Sequence, residues 1–287
     1  MRCDHERVPD IALPSDASAL ASAAFGARPG LFPLPLAGDP VASWHRAVAL
    51  GGQGRYSAAR AELTRLRRAT GPGGALASLA TSTEASLLRQ LGRHREASVL
   101  DGRAVAALAG APADCPWAVE AHCDALTGLA ADALGCGRLR LAARLLDRCA
   151  ARLDEAGGVH PEAFRRQRVR LHWVTAETAL ASGDFATARR HSAAAAAGAE
   201  RSGSVRHLIK SDLLQAASWT GESDPTPARD LCLDVLDRST AHGLVPLRWA
   251  ASMLWDGLGG GDAARRVRDE SAALIVRRGG RFATIRA

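Results

Sequence analysis

Apolar positions along this chain recur at helical spacing, and before the last few residues no stretch alternates apolar and polar residues as a half-buried strand does. Residues 84–101, EASLLRQLGRHREASVLD, show the rhythm most plainly. Helix formers run to Leu91, Gly92 and Arg93 interrupt them, and a second helical run restarts by Arg95, which makes one helical hairpin. The same pattern predicts paired helices at 41–51 with 55–69, 74–91 with 94–109, 117–135 with 138–156, and 161–182 with 184–201. Beyond residue 200 the expected helices are 204–219, 226–242, 246–258 and 262–278. Ser15 can cap a short helix through Ala24, Thr226 and Asp262 can cap two later ones, and Pro161, Pro227 and Pro246 suit first helical turns. Gly243 and the glycines 259–261 supply stops. The expected fold is all-α, with about six helical hairpins spanning residues 41–278.

The two ends read differently. Pro9, Pro14, Pro29, Pro33, Pro35 and Pro40 exclude a long helix from residues 1–40. Within that leader, LFPLPL at 31–36 reads as an extended strap, either part of a disordered segment or ordered over the exposed end of the first hairpin. We prefer the ordered reading, because Leu31, Phe32, Leu34 and Leu36 are costly to leave in water. The end of the chain, GGRFATIRA at 279–287, reads as a tail or a small β-like appendage.

Small residues repeat beneath the helical pattern. Gly54, Gly92, Gly137 and Gly183 are followed five residues on by Ala59, Ala97, Ala142 and Ala188, and preceded by seven by Ala47, Ala85, Ala130 and Ala176. Such a glycine leaves a helix in a conformation costly for residues with a Cβ, and the two alanines let paired helices approach closely. Two residues after each glycine stands a larger side chain: Tyr56, His94, Leu139 or Phe185. The set resembles the tetratricopeptide repeat (TPR), best over residues 41–200 and most closely in GDFATARRH at 183–191. The resemblance implies a right-handed α-solenoid whose stacked hairpins bury a continuous core and whose first helices line a groove. The glycines step by 38 residues (54 to 92), 45 (92 to 137) and 46 (137 to 183). The family period is about 34, so longer helices or loops are expected.

By the same resemblance, groove-facing positions fall on Trp44 and Val48, on Leu79, Ser82, Ser86 and Arg89, on Asp124, Thr127 and Ala131, and on Arg170, Trp173 and Glu177. Arg170, Trp173 and Glu177 share one helix face and could stack and pair with a partner side chain, since Trp and Arg are frequent interface anchors. In the competing reading Trp173 fills the core and the charges form a surface ladder. Chaperone-binding members clamp a C-terminal carboxylate with lysines and asparagines; here Trp44, Ser82, Thr127 and Trp173 stand where the first lysine is needed. The resemblance therefore implies a less charged peptide or an amphipathic helix as ligand.

Composition narrows the function classes. Apolar residues make up 47% but aromatics only 4%, so the core must be built largely from Ala, Leu and Val. The formal charge is +7 and Lys210 is the only lysine, a bias that reflects a GC-rich coding genome. FRRQRVRLH at 164–172, the arginines 265, 266, 268, 277 and 278, and Arg281 and Arg286 could bind phosphates. No interleaved aromatics, helix-turn-helix or RNA-recognition signature accompanies them, so nucleic acid ranks behind protein as a partner. The cysteines 3, 115, 123, 136, 149 and 232 contain no CxxC pair and are expected as free thiols. Neither Cys3 with His5 nor Cys115, His122 and Cys123 completes a four-ligand zinc site. GxxxxGK[ST], HExxH and GxSxG are absent, as is GxGxxG after a strand, so no cofactor, metal or catalytic role is expected. MRCDHERVPD carries charge where a secretory signal has an apolar core, and no run reaches the length of a membrane span, which points to the cytoplasm. The expected function is a non-enzymatic interaction module for a peptide or helix of another bacterial protein. The sensory half of a transcriptional regulator and an enzyme with its site in the groove are the alternatives. Self-association is left open.

Overall fold

The computed structural model describes residues 15–112, 115–157 and 164–284. Among them no residue lies in a strand, and consecutive helices pack as neighbouring pairs. The helices are α1 Asp16–Phe25, α2 Pro40–Gly52, α3 Tyr56–Thr70, α4 Ala75–Arg89, α5 His94–Ala106, α6 Pro116–Gly135 and α7 Leu139–Gly157. They continue with α8 Arg165–Ala181, α9 Phe185–Arg201, α10 Val205–Ser218, α11 Thr226–Ala241, α12 Val245–Trp255 and α13 Gly261–Arg277.

Local chemistry accounts for the helix ends. Gly54, Gly92, Gly137 and Gly183 hold φ of 73°, 76°, 73° and 75°. At each, two backbone bonds close the helix: Gly54 N–H donates to Gly51 O and Arg55 N–H reaches back to Leu50 O, and the pair recurs at the other three. On either side, Ala47, Ala59, Ala85, Ala97, Ala130, Ala142, Ala176 and Ala188 are all 0% exposed, so there is no room for a larger side chain between the paired helices. The wide glycine spacing has two sources. Residues 107–115 separate α5 from α6, and α6 and α7 run for 20 and 19 residues against 13 and 15 in α2 and α3.

Several starts differ from expectation. The helix α2 begins on Pro40 itself, with Asp39 Oδ1 accepting the Ala42 N–H at 2.8 Å. Thr226 is the first residue of α11 rather than its cap, because Asp224 Oδ1 already accepts the Thr226 N–H. Asp262 does not cap α13; its carboxylate turns to Arg265, 2.7 Å away. The regular part of α12 ends at Trp255, and a wider turn over Asp256–Gly260 leads through Gly259, at φ 88°, into α13. The expected start at Pro161 lies outside the described residues, as do Cys3, His5, Pro9, Pro14 and Arg286.

The two ends of the array meet. Ser57 N–H donates to Arg278 O, Arg278 Nη1 to Gln53 O at 2.7 Å, and Ala283 N–H to Leu91 O at 2.8 Å. Val245 of α12 and Ile275 of α13 share one apolar core with Tyr56, Leu63 and Leu79. Residues 279–284, none of them in a strand, run from the first hairpin to the turn of the second, with Phe282 packed on Trp249 at 4.9 Å between ring centres. The described part of the leader packs on the first hairpin and also bridges to α10. Gln53 Nε2 donates to Pro29 O and Leu31 O, while Val205 N–H donates to Gly26 O across the gap to α10. Of the strap, Leu34 is buried, but Phe32 and Leu36 stay exposed, Phe32 lying under the Arg55 guanidinium.

Candidate functional site

Joining the ends sets α12 across from the surface formed by the first helices of the pairs. Two contiguous cavities occupy it, an inner recess of about 60 Å³ and a larger cavity of about 490 Å³. Trp44, Ser82 and Asp124 line the recess; Arg89, Thr127 and Glu177 line the larger cavity; Ser86, Arg170 and Trp173 line both. Val48 and Ala131 also reach the cavities, whereas Leu79 is sealed in the core. The α12 side, with Pro246, Leu247, Trp249 and Ala250, supplies an apolar wall.

The side chains expected to wait for a partner already have partners within the chain. Trp173 is 9% exposed, donates from Nε1 to Ser211 Oγ at 2.8 Å, and stacks on His207 at 5.0 Å with 15° between planes. Glu177 pairs with Lys210 at 2.6 Å, and Arg170 lies beside Asp124. These residues therefore do not act as a free triplet on one helix; each lines the cavity while tied to a neighbouring hairpin, Arg170 to α6 and Trp173 and Glu177 to α10. Trp44 is likewise held, its Nε1 donating to Thr83 Oγ1 at 3.0 Å.

The interior is also far more charged than its Ser, Thr, Trp and Val content implied. Arg89 donates from both terminal nitrogens to Asp101 at 2.9 Å and lies 2.8 Å from Asp132. Ser82 Oγ donates to the other Asp101 oxygen at 2.6 Å. Burial, opposed by Arg89 and Ser82, pushes Asp101 up to about 7. Burial works to lower the Arg89 pKa, but the two carboxylates outweigh it and hold it up. Gly128 makes this cage possible, since a Cβ there would collide with the Asp101 carboxylate.

A second cluster crosses from α6 to α8. Arg166 reaches Asp124 at 2.7 Å and Glu120 at 3.4 Å, and lies over the Phe25 and Trp44 rings. Arg170 Nε is 3.1 Å from Asp124 Oδ1, yet its N–H is not aimed there, so the contact is an ion pair without a hydrogen bond. Burial, aided by neighbouring arginines, lowers Arg170 despite Asp124. His207 is held well below its ordinary pKa by burial and by Arg206, Arg166 and Arg170, and so stays neutral against Trp173.

Sequence reading missed Arg206, His207 and Lys210 because the glycine–alanine motif decays beyond residue 200. A signal was present: Arg206 and Lys210 are four apart, on one helix face, just after the positive-φ Gly203. Arg166 was grouped with a basic run that splits in the structure. Arg166 and Arg170 turn inward, while Arg168 pairs with Asp154. The C-terminal Arg265 and Arg268 are neutralised by Asp256, Asp262 and Asp269. Among the described residues Cys115, Cys123, Cys136, Cys149 and Cys232 are free thiols, and no helix is long and apolar enough to cross a membrane. Comparison with known proteins finds no family model that matches the chain and no curated protein that matches it.

Proposed function

We propose that this chain is a TPR-like, right-handed α-solenoid of about six hairpins that binds a short peptide segment of another protein in its central cavity, without catalysis of its own. One observation supports this above the rest: a cavity of about 490 Å³ has an apolar wall on α12 facing cations on α4, α8 and α10. That volume falls in the range of about 300–1,000 Å³ typical of sites for small ligands. A helix, about 10–12 Å across with its side chains, needs a wider trough. An extended segment of a few residues is therefore preferred to an amphipathic helix.

Selection from a displayed library of random peptides tests the reading. Peptides enriched on the wild type are expected to bind Ala250→Phe, which fills the cavity from α12, at least about tenfold more weakly, with thermal stability unchanged. Equal binding to both proteins would place the ligand elsewhere on the surface.

A further inference from the structure

The cations of the inner surface are not equally satisfied. Arg89 has Asp101 and Asp132, Arg166 has Asp124 and Glu120, Arg170 has Asp124, and Lys210 has Glu177. Arg206 alone in this set pairs with no acidic group among the described residues. Its one hydrogen bond runs from Nη2 to the Ala24 carbonyl at 3.2 Å, and its Nε is sealed from solvent without a partner. The nearest charges make matters worse. Burial first, and then Arg170 and Arg166, pull the Arg206 guanidinium down to about 10.

Its position is built rather than incidental. Arg206 lines both cavities where they join, and its stem crosses Gly52, where a Cβ would press on the Arg206 Cδ. A half-buried cation without a counter-ion is costly unless something pairs with it. We propose that the cavity is a carboxylate site and its ligand an acidic peptide, with Arg206 taking the carboxylate oxygens. This inference rests on the peptide reading above and names the chemistry that reading leaves open. Guanidinium matches a carboxylate through two parallel hydrogen bonds. Asp124 and Glu177, which also line the cavities, favour a single negative charge over a phosphate dianion. Leu247 and Trp249 offer an apolar seat for the residue next to the acid.

The test uses the full chain as wild type and Arg206→Met, followed by thermal melting and tryptophan fluorescence titration. The probes are acetyl-Leu-Glu-Leu-amide, its Gln isostere, acetyl-Leu-Leu with a free C-terminus, sodium acetate and inorganic phosphate. An acidic peptide is expected to bind the wild type at least about tenfold more tightly than the Gln isostere, and Arg206→Met is expected to abolish that preference. Which acidic probe wins identifies the carboxylate as side chain or chain terminus. Without ligand, Arg206→Met should melt higher than the wild type by about 2 °C or more, because an uncompensated charge has gone. The proposal is overturned if Glu and Gln probes bind alike, if the preference survives in Arg206→Met, if phosphate outcompetes both carboxylates, or if unliganded Arg206→Met melts lower. Acetate stabilising only the wild type while the Glu and Gln peptides bind alike would overturn the acidic-peptide ligand and sink the peptide reading with it, and a carboxylate preference without any peptide selected from the library would sink the peptide reading alone.

Discussion

Arg89 and Arg206 sit on the same inner surface, one on α4 and one on α10, and differ in what surrounds them. Arg89 is caged: two carboxylates, the Ser82 hydroxyl behind one of them and the Gly128 carbonyl converge on its side of the cavity. Arg206 has a backbone carbonyl, a sealed Nε and two repelling arginines. The first arrangement ties α4, α5 and α6 together and leaves Arg89 little to offer a ligand. The second leaves charge unspent toward the cavity. Half-buried cations of the same type in one fold thus divide between holding hairpins together and facing the cavity unpaired. The division follows from whether a neighbouring helix supplies an acid: α5 and α6 do for Arg89, and no described helix does for Arg206.

That contrast can be broken by experiment. Removing Arg89 should have the largest effect: Arg89→Met strands Asp101 and Asp132 without their cation and should cost about 3–5 kcal/mol in urea unfolding, opposite in sign to the gain expected at Arg206. A loss below about 1 kcal/mol would mean that the cage is not what joins these hairpins. Next, Gly128→Ala should cost about 1–3 kcal/mol by driving a methyl group into the Asp101 carboxylate. A stabilised variant, as ordinary helix propensity would favour, would count against the tight cage. Of similar or smaller size, Ala176→Leu should cost about 1–3 kcal/mol by overpacking α8 against its neighbours. Ala196→Leu, at a half-buried position on α9, should change stability by about 0.5 kcal/mol. Equal melting shifts would refute the repeat register.

The same cage gives a dependence on pH. Asp101 ionises near its ordinary 3.8 in the unfolded chain but only at about 7 in the cage. Between those values the unfolded state releases a proton that the folded state keeps, so this group's contribution to stability falls as pH rises from about 4 to about 7 and levels off above. The melting temperature of the wild type should therefore decline relative to Asp101→Asn across that window. Parallel profiles for the two proteins would show that Asp101 is already ionised in the fold.

Helices, hairpin turns and the close approach of paired helices were legible in the chain because their causes are local. A glycine at positive φ, an alanine where there is no room for a larger side chain and a proline in a first turn act within a few residues of themselves. The inner face came from the resemblance that these local features carry. Once Gly54, Gly92, Gly137 and Gly183 set the register, the TPR resemblance implies Trp44, Ser82, Ser86, Arg89, Asp124, Thr127, Arg170, Trp173 and Glu177 as inward-facing; these line the cavities, while Leu79, reached the same way, is sealed in the core. Their partners did not follow, because each lies on another hairpin at a separation no periodicity reports: Trp173 with Ser211, Arg89 with Asp132, Glu177 with Lys210.

The sequence by itself determined an all-helical chain of neighbouring pairs with a specified inner face, since helical period and backbone sterics are short-range. Only the tertiary structure decided that the tail and leader close the array, that the closure sets α12 across the cavity, and which arginine is left without an acid. Those outcomes depend on contacts such as Arg278 with Gln53 and Arg206 with Ala24. Such contacts join residues about two hundred positions apart and form only when every intervening hairpin has packed.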